Sequence, residues 1–127
     1  MDVASSDRTL IEQVTAAMQA GDAGKEAMIA LFADDATLID SFSGQQQTSA
    51  GKDAVRARYY AMVAEPRPPD FLLKLDRLDT DGKQVIANWS CTSSVFPGPM
   101  LGVSHYTIRD GKIQRLEINI TRMPGQP

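Results

Sequence analysis

The sequence predicts an α+β domain, with helices first and an antiparallel sheet after them. Three observations carry that expectation. Apolar residues recur at helical spacing as far as Ala64, the period drops to two beyond the proline-rich residues 66–69, and two Asp-Gly turns separate the alternating runs. The 127 residues suit one domain with one modest core. At 43% hydrophobic and 23% charged, the chain is too apolar to be disordered.

Leu10, Ile11, Val14, Ala17 and Met18 place one apolar stripe on a helix over 6–20, capped by Ser6 or Asp7 and stopped at Gly21. Asp22 is expected to cap a second helix ending near Ala33, with Ala27, Met28, Leu31 and Phe32 as its buried side. Asp34 and Asp35 then mark a solvated turn, residues 36–42 a short strand, and residues 43–51 (SGQQQTSAG) a loop. A third helix runs over 52–64 on Val55, Tyr59 and Met62. It must stop before Pro66, because the residue preceding a proline is pushed out of the helical region. Beyond it, FLLKLDRLD and QVIANWSCTSSV form a hairpin across TDGK, where Gly82 supplies a positive φ. After a break at FPGP, MLGVSHYTIR turns at Asp110–Gly111 into KIQRLEINIT, and TRMPGQP reads as a frayed tail.

The rare residues exclude more than the common ones. One histidine, His105, and one cysteine, Cys91, cannot supply a Cys/His zinc site, a disulfide framework or a CxxC redox pair, so no metal is expected. A net charge of −3 without any Lys/Arg block argues against a nucleic-acid partner. No apolar run approaches the ~20 residues of a membrane span. The start MDVASSDRTL lacks the basic end and apolar stretch of a signal peptide, so a cytoplasmic protein is expected. Any chemistry then rests mostly on carboxylates, hydroxyls and backbone.

Strand alternation assigns faces. In the first strand Leu38, Asp40 and Phe42 share one face and Thr37, Ile39 and Ser41 the other. Either Asp40 lies on the buried face, where its charge is costly and a proton acceptor is useful, or Ile39 faces inward and Asp40 is solvated. Alternation leaves both open. Met100, Gly102, Ser104, Tyr106 and Ile108 form the inward set of the penultimate strand, which puts Ser104 inside and His105 outside. Leu116, Ile118 and Ile120 face inward on the last strand, and Val85, Ala87, Trp89 and Cys91 on the second hairpin strand. Cys91 reads as a small core or pocket-lining residue, with no basic group placed to activate it. Trp89 and Tyr59 suit plain core or an aromatic pocket wall alike. Met18, Met28 and Met62 suit packing, or the lining of an adaptable pocket.

Residues 21–40, GDAGKEAMIALFADDATLID, resemble the segment of bacterial ketosteroid isomerases that runs from the end of the first helix through the catalytic aspartate. The shared pieces are Gly21–Asp22, the run ALFADDAT at Ala30–Thr37, and an aspartate three residues later. Weaker similarity continues from Gly51 to Tyr59 and at HYTIRDGKI. LFADDA-like stretches recur across the wider superfamily of nuclear-transport-factor-2-like and SnoaL-like domains. The resemblance implies a cystatin-like cone, in which three N-terminal helices pack on a curved, mostly antiparallel sheet enclosing an apolar pocket. It also implies a homodimer and no cofactor. Asp40 aligns with the base that moves a proton beside a ketone. Tyr59 matches the tyrosine that supports the oxyanion hole, and Phe32 matches a pocket-wall position.

The two oxyanion donors do not carry over, because Val14 stands at the tyrosine position and Ser104 at that of the protonated aspartic acid. Losing one such donor costs ~2.7–4 kcal/mol of transition-state stabilisation. Two readings follow. In the first, Asp40 and Tyr59 are catalytic in a cofactor-free isomerisation or cyclisation. The substrate is a steroid-like or polyketide-like carbonyl compound, held by Val14, Met18, Phe32, Phe42, Met62, Trp89, Cys91, Ser104, Tyr106, Leu116 and Ile118. In the second, the chain is a non-catalytic ligand-binding or dimerisation module whose active site has drifted.

Overall fold

In a computed structural model that describes residues 2–125, the chain begins with α1 (Ser5–Ala20), which buries Leu10, Ile11, Val14 and Ala17. Its stripe is the expected one, but its cap is not. Ala4 occupies the N-cap position without a side-chain bond, and Asp7 lies inside the first turn, where a carboxylate meets the positive end of the helix dipole. Gly21, at φ +62°, ends the helix as expected.

A 3₁₀ turn, Gly21–Gly24, and the short α2, Lys25–Ala30, replace the longer second helix. Asp22 does not cap it. Its carboxylate accepts a bond from Lys25 Nζ at 2.9 Å instead. Met28 and Ile29 are the buried residues of α2 and Ala27 is exposed. Strand β1, Phe32–Asp40, starts where the helix was expected to continue, because the Ile113 N–H donates to the Leu31 carbonyl and draws the chain into the sheet. Asp34 and Asp35 therefore lie in a bulge within the strand. Phe32 pairs with Ile113 and Thr37 with Arg115, so β1 takes five steps against two, and the two carboxylates stay exposed.

The loop expected over 43–51 also contains a strand. Residues 47–50 form β2, Gln47–Ala50, antiparallel to β1 from Thr37 to Asp40. It lies at the sheet edge and is largely exposed, which is why it shows no apolar alternation. Helix α3, Lys52–Val63, buries Val55, Tyr59 and Val63. β3 (Leu72–Thr80), β4 (Val85–Thr92), β5 (Met100–Arg109) and β6 (Lys112–Arg122) follow as an antiparallel meander. The β5–β6 turn holds Asp110 at φ +54° and Gly111 at φ +75°, the two positive values that a two-residue hairpin needs. Part of the expected tail, Thr121 and Arg122, belongs to β6, and residues 126–127 lie outside the described residues.

The six strands run in the order β2-β1-β6-β5-β4-β3 in one curved sheet. Every neighbouring pair is antiparallel except β1 and β6. Irregular register in three of the pairs lets the sheet bend around the helices. One continuous core joins the buried faces of α1, α2 and α3 to the inner face of the sheet. The inner sets expected on β4, β5 and β6 face that core: Val85, Ala87, Gly102, Ser104, Tyr106, Leu116 and Ile118 are all buried. On β1 Asp40 is fully buried, and Ile39, on the opposite face, is nearly so at 7% exposure.

Candidate active site

A cavity of about 380 Å³ opens between the helices and β3–β5. Thr15 and Met18 of α1 and Arg58, Tyr59 and Met62 of α3 form its helical wall. Leu73, Leu75, Ala87, Trp89, Cys91, Met100, Ser104 and Tyr106 form its sheet wall. Phe42 and Ser43 close one side, and Glu65, Arg67 and Phe71 another. The structure thus brings together eight of the side chains expected on the site: Met18, Phe42, Tyr59, Met62, Trp89, Cys91, Ser104 and Tyr106. Val14, Phe32, Leu116 and Ile118 are not on the wall. They lie where helices press directly on the sheet and are packed into the core.

Trp89 shapes the floor. Its indole N–H donates to Ser104 Oγ at 3.0 Å, and its ring stacks on Phe42 at a centroid distance of 6.5 Å. The ring lies flat against β5 only because residue 102 is glycine: a Cβ there would fall 2.0 Å from Trp89 Cζ2. Ser104 accepts the indole bond and keeps its own hydroxyl proton to donate.

Tyr59 is 2% exposed, and its hydroxyl is buried without a hydrogen-bond partner among the described residues. Burial pushes its pKa up to about 12, against a smaller downward pull from the Arg67 charge, so at neutral pH it is a phenol and a donor. Tyr106 is also raised, by burial first and by neighbouring Tyr59 second. Burial pushes the Cys91 thiol up to about 11, which leaves it protonated and poorly nucleophilic at neutral pH.

Asp40 does not line the cavity. Both of its oxygens are occupied: Arg58 donates through Nε to Oδ2 at 3.0 Å and through Nη2 to Oδ1 at 2.7 Å, and the Phe42 N–H donates to Oδ1 at 3.1 Å. The guanidinium supplies the counter-charge that lets a carboxylate sit in the interior. Bonding to Asp40 in turn pushes the Arg58 pKa up. Arg58 and Phe42 both face the cavity, so Asp40 stands one side chain behind its wall.

The reading of the sequence missed Arg58, although a signal was present. Val55, Arg58, Tyr59 and Met62 are spaced i, i+3, i+4, i+7, which puts a cation on an apolar stripe. Arg67 carried no such signal, being in the aperiodic EPRPPD. Its guanidinium bonds the Met18 carbonyl and lies over the Phe71 ring at 4.5 Å. Asp70 pins the same segment to the loop after β4, accepting from Ser93 Oγ at 2.6 Å and from the Ser94 N–H at 2.8 Å.

The bonds from Ser93 and Ser94 hold the Asp70 carboxyl down to about 2. A lowered folded-state pKa means that the tether is fully present above the ordinary value of 3.8 and is lost as the pH falls through about 2. In an NMR titration the Ser94 amide proton should therefore move with a midpoint near 2. A midpoint at 3.8 or above would show that the bond does not form in solution.

A model of the SnoaL-like domain matches residues 11–116. No curated protein sequence matched the chain. Among solved structures, a candidate polyketide cyclase from Sinorhizobium meliloti shares 20% identity at a TM-score of 0.70, covering 91% of this chain and all of that one. A candidate ketosteroid isomerase from Kribbella flavida shares 20% at 0.68, covering 96% of this chain and 82% of that one. A nuclear-transport-factor-2-like protein of unknown function from Burkholderia xenovorans shares 21% at 0.69, covering 96% and 88%. At these identities the structural likeness speaks for the fold alone.

Proposed function

Since the chain belongs to the SnoaL-like domain family, whose model spans most of its length, we propose that it binds a hydrophobic small molecule carrying an oxygen function. The observation that carries this reading is Tyr59, a wall residue of an otherwise largely apolar cavity, whose buried hydroxyl has no hydrogen-bond partner among the described residues. Leaving such a group unsatisfied costs about 1–3 kcal/mol, which a ligand oxygen accepting its proton would relieve. A volume of about 380 Å³ falls at the low end of the range for small-molecule sites. Met18, Met62, Phe42 and Trp89 offer the ligand a soft, aromatic surface.

A second reading, proton transfer by Asp40 in an isomerisation or cyclisation of a carbonyl compound, is favoured by one observation: the two residues that bond Asp40, Arg58 and Phe42, both face the cavity. For Asp40 to take a proton from a molecule in the cavity, Arg58 or Phe42 must first move aside, because both stand between it and the cavity. Ser104 and Tyr59 would then be the donors to a developing enolate oxygen.

One titration addresses both readings. Trp89 is the chain's single tryptophan and lies on the cavity floor, so a lipophilic ketone should change its fluorescence saturably. No saturable change with any steroid-like or polyketide-like compound, ketone or acid, would remove the binding reading. Asp40→Asn should keep that binding and lose any turnover of a β,γ-unsaturated ketone, and equal turnover by the two proteins would remove Asp40 as the base.

A further inference from the structure

Among the described residues two cations, Arg58 and Arg67, face the cavity, and only Arg58 is paired with a carboxylate. Arg58 is consumed by the bidentate pair with Asp40. Arg67 is half-buried and has no carboxylate within ion-pair distance among the described residues. Glu65 also borders the cavity but is exposed and does not pair with it. One Arg67 nitrogen, Nη1, is committed to the Met18 carbonyl, and its carbon rests over Phe71, so the plane of the guanidinium is held while several of its five N–H donors remain.

A partly desolvated, oriented guanidinium without an anion is a cost to the folded protein unless something else supplies the charge. The wall of one cavity thus carries a fixed cation and a residue, Tyr59, whose buried hydroxyl has no partner among the described residues. A planar guanidinium together with an O–H donor is the donor set that a carboxylate satisfies best, and the apolar remainder of the cavity calls for an apolar body behind it.

We infer that the ligand is a hydrophobic organic acid whose carboxylate is held by Arg67 and Tyr59 while its body lies against Met18, Met62, Phe42 and Trp89. The inference rests on the proposed binding role of the cavity and names the ligand class for it. It also gives Arg67 a specificity-determining role that the fold alone does not require.

The probes are 2-naphthoate and its neutral isostere 2-naphthamide, titrated calorimetrically at pH 7 into the wild-type protein and into Arg67→Gln, Arg67→Lys and Tyr59→Phe. The wild-type protein should bind the acid at least about tenfold more tightly than the amide. In Arg67→Gln the ratio should fall toward one, Arg67→Lys should retain part of it, and Tyr59→Phe should weaken the acid several-fold. Equal wild-type affinities, or a preference that survives Arg67→Gln, would overturn the inference. Because the wild-type comparison stands alone, the result does not depend on how well a variant folds. If the amide binds and the acid gains nothing, the acid specificity fails and the binding role stands. If neither probe binds, both fall.

Discussion

Arg58→Leu is expected to destabilise the protein by about 3 kcal/mol or more, the largest loss we foresee for a single side chain. The reason lies in what remains. Asp40 is 0% exposed and would keep only the Phe42 N–H as a partner, so an interior carboxylate would lose its counter-charge and two of its three hydrogen bonds. The contribution of the pair itself is smaller than the cost of breaking it, since both ions were desolvated to form it. The double variant Arg58→Leu/Asp40→Leu should therefore recover most of the loss, because two apolar side chains next to Leu38 and Tyr59 leave no buried charge. Urea unfolding followed by Trp89 fluorescence measures all three proteins. A single variant within about 1 kcal/mol of wild type would show that Asp40 finds water or another donor in solution.

Gly102→Ala should damage the cavity more than any substitution of a cavity-lining residue. The added Cβ would meet Trp89 Cζ2 at 2.0 Å and Cε2 at 2.3 Å, well inside van der Waals contact. The indole cannot give way cheaply, because it is rigid, tied to Ser104 and stacked on Phe42. Overpacking of this kind costs about 1–3 kcal/mol, and losing the indole hydrogen bond places this case at the upper end. With Trp89 tilted off β5, the floor of the cavity moves and ligand binding should disappear. Thermal melting and the tryptophan emission maximum check the prediction, and both unchanged from wild type would refute it.

Much of the fold was legible because it is written locally. β5 runs over Met100–Arg109 as read, and the turns at Gly82 and Asp110–Gly111 take the positive φ values that their residue types suggested. Trp89, Ser104 and Tyr106 reached the cavity through plain alternation. What failed was local signal with two meanings. Leu31 and Phe32 fit a helix face as well as a strand start, and pairing with β6 decided for the strand. β2 has no apolar pattern because an edge strand on this sheet needs none. The parallel pairing of β1 with β6 joins residues far apart in the chain, and no local pattern announces it.

The site divides in the same way. The sequence by itself determined that the chain would fold as helices on a sheet, that the inner face would carry Trp89, Ser104 and Tyr106, and that Asp40 would need an explanation. Only the tertiary structure decided what that explanation is. Asp40 sits behind the cavity wall with both oxygens held by Arg58, eighteen residues away in the chain, while Arg67 faces the cavity with no carboxylate in ion-pair reach among the described residues. Periodicity records which side of an element is dry, because burial of a face repeats along the chain. Which charge meets which counter-charge is a property of the packed interior, where two lone polar groups on different elements either find each other or wait for a ligand.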